Sequence, residues 1–400
     1  RSALQDLAIC AMLHDNALTQ YISEEIQENN ISNISLGGST QGDKNTVVDS
    51  GGMFNESEDI ISENGMAYSP EIIKSIAGSI HKKIGLHCTY GEQNIKKLPF
   101  YTDVSGAVLY HHENADGTGT FGKRWDEIPL FARIIHLCDM VDVMGNSCDF
   151  SGESWIRAKE YVCRNRNILF DSECADAFLE EENFVSMSQD RFEDELWKKI
   201  PRDKRDCDFE TCKGIADFFA GIVDYKSEFT GKHSLGVAKK AAELAEYMGY
   251  SQADIEKFYM AGALHDIGKM AIGNEILEKP GRLTDEEFSR MKNHAGYTYM
   301  ILSEVKDFDE VRDWAALHHE KLDGTGYPFG KKAEELNEPE RLMACVDIYQ
   351  ALTEARPYKS GMSHDKACSI LEDMVQKGWI DAAVTDKLRS CFEVGGRDMV

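Results

Sequence analysis

The chain has 400 residues, 42% of them apolar, and a formal net charge of −26, enough for two cores of ordinary domain size at about 100 to 200 residues each. Apolar runs such as Leu7–Leu13 are far shorter than the roughly 20 residues a membrane helix needs, and no charged-then-apolar start marks a secretion signal, so a cytoplasmic protein without membrane contact is expected. The acidity, with no basic stripe to offset it, argues against a nucleic acid polymer as partner, and any phosphate-bearing substrate would need metal ions to supply local positive potential.

Taken in order, the chain begins at Arg1 rather than Met and reads as a fragment or processed form. Residues 29–64 are rich in Asn, Ser and Gly without periodic apolar positions, which predicts a loop or disordered insertion. Ser188–Cys207 is strongly charged and contains Pro201, which places a domain junction there and divides the chain into residues 1–200 and 201–400. From His233, the positions Val237, Ala241, Leu244, Ala245 and Met248 share one helical face, and Gly249 ends that helix. Ser251 with Asp254, and Thr284 with Glu287, read as capping boxes opening the helices that carry His265 and His294. β-branched alternation is scarce throughout, so the fold class is all-α, built as helical bundles with side chains converging inward. Eleven Cys with no CxxC pair argue against a disulfide framework and a zinc ribbon, and read as small buried hydrophobes in a reducing compartment.

The chain also repeats itself. His87, His111–His112–Glu113, Asp116–Gly117–Thr118–Gly119 and Asp139 return about 207 residues later as His294, His318–His319–Glu320, Asp323–Gly324–Thr325–Gly326 and Asp347. Both copies set the His pair 24 positions after the first His, and Leu13–His14–Asp15 mirrors Leu264–His265–Asp266. The HD pair precedes the next His by 73 residues in the first copy and by 29 in the second.

In the second copy His233, His265, Asp266, His294, His318, His319 and Asp347 form a candidate metal set too large for one ion. Imidazole and carboxylate without thiolate suit iron, with manganese or another first-row metal as alternatives, better than a structural zinc. Two ions about 3.5–4 Å apart, with Asp266 as bridging carboxylate, would activate a water against a phosphodiester. Lys269 could meet a non-bridging phosphate oxygen as charge builds, and Arg356 with Lys359 a second phosphate or a guanine edge. The glycine-rich loop ending in Gly326–Tyr327–Pro328 predicts a shaped rim beside the His pair that contacts substrate. An isolated His is more often a core or surface residue than a ligand; seven in this order and spacing reverse that expectation.

With these residues the second copy resembles the HD-GYP family of cyclic di-GMP phosphodiesterases. The resemblance rests on His265–Asp266–Ile267–Gly268–Lys269, on His318–His319–Glu320 with Asp323–Gly324 and Gly326–Tyr327–Pro328, and on Arg356–Pro357–Tyr358–Lys359. It implies an all-α bundle, a two- or three-metal centre often containing iron, hydrolysis of cyclic di-GMP to linear pGpG or onward to GMP, and contact of the GYP loop with diguanylate cyclase (GGDEF) domains. Two positions depart from the family pattern. Phe229 stands before Thr230–Gly231–Lys232–His233 where three-metal members carry Glu, which favours two metals and the linear product. Gln350 replaces a common Asp. The first copy resembles a degenerate relative: it keeps His14, Asp15, His87, His111, His112 and Asp139, but Leu18 replaces the Lys, Thr120–Phe121 the Tyr–Pro, and Cys148–Asp149–Phe150–Ser151 the Arg–Pro–Tyr–Lys segment, while the counterpart of His233 would lie before Arg1. It is expected to be weakly active or inactive and to pack, dimerise or regulate. Hydrolysis of another cyclic dinucleotide or nucleotide, and non-catalytic binding of ligand or a cyclase partner, remain the alternatives.

Overall fold

The computed structural model describes residues 2–16, 84–145, 152–180, 198–200, 207–226, 232–277, 279, 281–355 and 360–394. The expected insertion at 29–64, most of the expected junction, Leu18, the 148–151 segment, Phe229 and the Arg356–Lys359 segment lie outside these residues. Among the described residues the structure is helical, with no strand and only isolated bridges such as Asp323 with Lys332. The chain divides into two compact units, with one division after Asp206.

The first unit contains the helices Ser2–Leu13, Leu130–Gly145, Gly152–Arg164 and Ser172–Glu180, and a helical stretch over 84–95. Its apolar core is split. Cys10, Ala107 and Ile135 form one part, and Leu137, Met140, Val162, Phe170 and Ala175 the other. The buried Asp6 carboxylate accepts the amides of Tyr101 and Thr102 and the Thr102 hydroxyl, which fastens the first helix to the loop after residue 95.

The second unit packs the helices Phe209–Lys226, His233–Tyr247, Gln252–Leu264, Asp285–Ser303, Asp309–Ala316, Glu338–Thr353, His364–Gln376 and Ala382–Val394 around one continuous core. Val237, Ala241, Leu244 and Ala245 are all fully buried on one face of the His233 helix, as the 3.6-residue period requires. Gly249 closes that helix at φ +80°, with the Gly249 amide donating to Glu246 and the Tyr250 amide to Ala245. That paired arrangement satisfies the last carbonyls, and the positive φ suits glycine.

Thr284 and Glu287 form a reciprocal capping box at the start of the His294 helix. Ser251 caps the next helix only one way: its hydroxyl accepts the Asp254 amide and donates to the Asp254 carboxylate, so the box is half formed. The reason is reach, since Asp is one methylene shorter than the Glu or Gln of a full box.

Two glycines let the site-bearing elements approach. Gly262 faces the Ala238 backbone, which brings the His265 helix against the His233 helix. Gly268, in the 3₁₀ turn Ile267–Ala271, faces the His294 carbonyl and the Thr298 amide, and a Cβ there would collide with both. Because the obstacles are backbone atoms, relief needs a shift of the whole turn. Gly268→Ala is therefore expected to cost roughly 3 kcal/mol of stability, the upper part of the range for overpacking, measured by urea unfolding.

Candidate metal centre

The site of the second unit is assembled from helix ends and from two positions inside helices. His265 is the C-cap of Gln252–Leu264, Asp266 follows in a turn conformation (φ −101°, ψ 7°), and His233 is the first residue of its own helix. His294 lies within Asp285–Ser303, His318 and His319 follow the Asp309–Ala316 helix, and Asp347 lies within Glu338–Thr353. The structure brings all seven residues to one pocket. The potential ligand atoms of His233, His265 and Asp347 lie within 4.8 Å of one another, as do those of His265, Asp266 and His318, and those of His294, His318 and His319.

Asp266 sits between these groups. Its Oδ2 is 3.3 Å from His265 Nε2, and its Oδ1 is 3.3 Å from His294 Nε2. Asp347 Oδ1 is 3.3 Å from His233 Nε2 and 3.7 Å from His265 Nε2. The carboxylates thus face one group formed by His233 and His265 and another formed by His294, His318 and His319, with Asp266 presenting one oxygen to each.

The imidazoles are oriented by their other nitrogen. His265 Nδ1 donates to Gly262 O (2.8 Å), His294 Nδ1 to Met291 O (2.7 Å) and His318 Nδ1 to Ala315 O (2.6 Å). Each bond runs to the carbonyl three residues back; for His265 and His318 that carbonyl lies in the last turn of a helix, where it is left free, whereas Met291 lies inside the His294 helix. A proton committed to Nδ1 leaves Nε2 with a lone pair directed into the pocket. The Nε2 atoms of His294 and His318 are buried there with no hydrogen-bond partner, which is costly unless a cation takes the lone pair.

Local charge fits the same chemistry. Burial holds His318 well below its ordinary pKa, assisted by His319 and His265, and burial brings His319 down to about 4 against the pull of Asp347, so both are neutral ligands near pH 7. Burial would raise the Asp266 pKa, but Lys269, His265 and His294 outweigh it and hold the carboxyl far below its usual range. For His233, burial is outweighed by Asp347 and Glu354, which lift it to about 10. The neutral His318 and His319 with ionised carboxylates and no thiolate form a donor set suited to first-row divalent cations, and His233, raised by its carboxylates, would give up a proton on binding one.

Lys269 is buried, with Nζ 2.5 Å from Asp266 Oδ2, so its charge points into the pocket. Tyr327 forms a wall: its ring centroid is 4.7 Å from that of His319 and 6.2 Å from that of His294. Gly326 lies against the backbone of residues 319–321, leaving no space for a Cβ, and Pro328 borders Gly296. Glu320 holds this loop, its carboxylate accepting the amides of Phe329, Gly330 and Lys331. Arg356 and Lys359 are not among the described residues.

Three supporting residues escaped the sequence reading. Glu354 Oε2 accepts from His233 Nδ1 at 2.9 Å; it lies seven positions after Asp347, a spacing that returns to the same helix face and could have revealed it. Asp224 accepts the Ser234 amide and hydroxyl, capping the His233 helix from the preceding one. Thr298 donates to His265 O and accepts the Gly268 amide, clamping the HD turn to the His294 helix one turn beyond His294. Gln350, where the family pattern has Asp, is buried against Gly236 and accepts from Lys240.

The family model described as HD domain matches residues 78–166 and 217–384. This chain belongs to the HD-domain family. It is 30% identical over 339 residues to the 3′3′-cGAMP-specific phosphodiesterase 1 of Vibrio cholerae, covering 82% of this chain and 78% of that protein. It is 40% identical over 167 residues to a cyclic di-GMP phosphodiesterase of Vibrio cholerae, covering 38% of this chain and 34% of the relative. The fold matches a crystal structure of a cyclic GMP-AMP-specific phosphodiesterase from Vibrio cholerae at a TM-score of 0.59 and 24% identity, covering 98% of this chain and 88% of the other. Among the described residues no helix of this HD-domain protein is long and apolar enough to cross a membrane.

Two outcomes are expected. His318→Ala should lower the iron or manganese held per chain, measured by elemental analysis after anaerobic purification, without loss of helical circular dichroism. Glu354→Gln should weaken metal affinity by about 10- to 100-fold, because a neutral amide no longer fixes the His233 ring as the carboxylate does.

Proposed function

We propose that residues 201–400 form a metal-dependent phosphodiesterase that opens a 3′,3′-linked cyclic dinucleotide, and that residues 1–200 form a related unit with a regulatory or structural role. The observation that carries the reading is Asp266, a buried carboxylate with one oxygen toward His265 and the other toward His294, inside seven potential ligands. His233, His265, Asp266 and Asp347 would hold one cation, and Asp266, His294, His318 and His319 a second. Iron is the leading candidate and manganese the next. When bound, such cations supply Lewis acidity toward a phosphodiester and an activated water.

The chain's own residues do the rest. Asp266 and Asp347 keep the pocket anionic and so retain divalent cations in a protein that otherwise repels phosphates. Lys269 adds a fixed positive charge next to Asp266, in position to compensate charge that builds on a phosphate oxygen. Tyr327 walls the His319 side and limits how a base or sugar enters. Arg356 and Lys359 remain assigned to substrate binding on the resemblance alone. GGDEF-domain contact by the 326–328 loop, and dimer formation through the first unit, are assigned on the same ground.

Among cyclic dinucleotides, 3′3′-cGAMP is favoured, because the relative named for it aligns with 82% of this chain. Cyclic di-GMP is the second reading, supported by the GYP-type residues and by the shorter alignment with a relative named for it. The anaerobically purified chain, given 3′3′-cGAMP, cyclic di-GMP and cyclic di-AMP separately, should show its highest kcat/KM on 3′3′-cGAMP and accumulate the linear dinucleotide first. A preference for cyclic di-GMP would select the second reading, and turnover of none of the three would remove both. Lys269→Met should lower kcat by about 100-fold or more, in the range of a lost transition-state donor, with little change in bound metal.

A further inference from the structure

We propose that Lys292 binds the second phosphate of a cyclic dinucleotide while the first lies at the candidate metal centre, an inference that rests on the cyclic dinucleotide reading above. Such a ligand carries two phosphodiesters on opposite sides of one macrocycle, and only one of them reacts at a time. The other keeps its charge, and a chain of net charge −26 repels it unless a cation stands at the mouth of the pocket.

Lys292 stands there. Its Nζ is 5.9 Å from the centroid of the Tyr327 ring and 5.2 Å from that of the Phe288 ring, both within cation–π range. The Tyr327 ring is in turn 4.7 Å from the His319 ring, so one aromatic side chain separates the ammonium from that imidazole. Lys292 lies two positions before His294 in the same helix, and at about 100° per residue its Cβ leaves the helix on nearly the opposite side from that ligand. It shares a face with Phe288 and Gly296, four residues to either side, and Gly296 borders Pro328. The stem therefore runs along the 326–328 loop and not into the ligand cluster, which suits a group that meets substrate at the rim. Its charge is also uncommitted. The basic residues nearby are neutralised, Lys269 by Asp266, Lys279 by Glu287 and Arg290 by Glu275. Among the described residues no carboxylate stands at ion-pair distance from the Lys292 ammonium, whose neighbours are the two rings. An aromatic face holds an ammonium through its quadrupole without satisfying the three N–H donors, which stay open to an anion.

The first unit supplies an internal comparison. Its counterparts of Lys292 and Tyr327 in the repeat are Gly85 and Thr120, and these two also lie side by side: a Cβ on Gly85 would come within 3.1 Å of Thr120 Cγ2. The fold thus sets the juxtaposition in both units, and the second unit fills it with a cation and an aromatic ring where the first has neither. Lys269 likewise has no lysine counterpart in the first unit, where the sequence has Leu18. The lysine toward the reacting phosphate and the lysine at the rim occur together in one unit and are absent together from the other.

The test uses the full chain loaded with manganese and measures binding by equilibrium dialysis. One ligand is the bis-phosphorothioate of 3′3′-cGAMP, which resists hydrolysis and keeps both charges; the other has one of its two linkages replaced by a neutral methylphosphonate. The unaltered chain should prefer the doubly charged ligand by about 10- to 100-fold, the range of one charge-assisted hydrogen bond. Lys292→Met keeps the stem against the rings and removes the charge, and it should abolish most of that preference, whereas Lys292→Arg should keep it to within about threefold. In turnover of 3′3′-cGAMP, Lys292→Met should raise KM with kcat held to within about threefold. A preference that survives in Lys292→Met overturns the proposal, as does a fall in kcat at constant KM, which would place the residue at the reacting phosphate. If Lys292→Met loses its helical circular dichroism, the unaltered chain decides, and equal affinity for the two ligands overturns the proposal. Binding of neither ligand by the unaltered chain is the failure of the cyclic dinucleotide reading and removes both, whereas tight binding of both alike is the failure of this inference alone.

Discussion

A carboxylate buried among imidazoles is the constraint on which the second unit depends. Asp266 lies almost out of reach of water, where an isolated charge would be prohibitive, and it stays ionised because Lys269, His265 and His294 surround it. Each of those groups must therefore be delivered to within a few ångströms. The helices that deliver them have no freedom to drift, since a shift that opened the pocket would strand the charge.

Delivery is achieved at or just beyond helix ends for His233, His265, His318 and His319, and from inside a helix for His294 and Asp347. A residue at the end of a helix can turn its side chain away from the helical period, and the carbonyls left without partners there can fix an imidazole through Nδ1. His265 and His318 use this device, and His294 uses the carbonyl of Met291 within its helix. Thr298 and Gly268 then bring the HD turn and the His294 helix together, one by hydrogen bonds to the His265 carbonyl and the Gly268 amide and the other by the absence of a side chain. The pocket is thus as much a product of these two residues as of the ligands.

The glycine-rich loop has the same construction in both units. Glu320 accepts backbone amides of residues 329–331, and Glu113 accepts those of Phe121 and Lys123. Asp323 and Asp116 each accept the amide and hydroxyl of the Thr two positions on, while Gly326 and Gly119 lie against the backbone of the preceding turn. A buried Glu after the His pair thereby couples loop shape to the position of that pair. What differs is the side chain after the last glycine of the motif: Tyr327 in the second unit packs on His319, whereas the first unit has Thr120 there.

The sequence by itself determined the helical class, the apolar face of the His233 helix, the capping box at Thr284 and which His and Asp residues are candidates to ligate, because these depend on local periodicity and on side-chain chemistry. It could not determine which oxygen of Asp266 meets which imidazole, nor that Glu354, Asp224 and Thr298 would hold the site residues in place, since these contacts join residues 10 to 121 positions apart. Nor could it show that Lys269 spends its charge on Asp266. Tertiary packing decided these matters, for the physical reason that a hydrogen bond or ion pair is set by distance in space, and only the folded chain brings those distances below 4 Å.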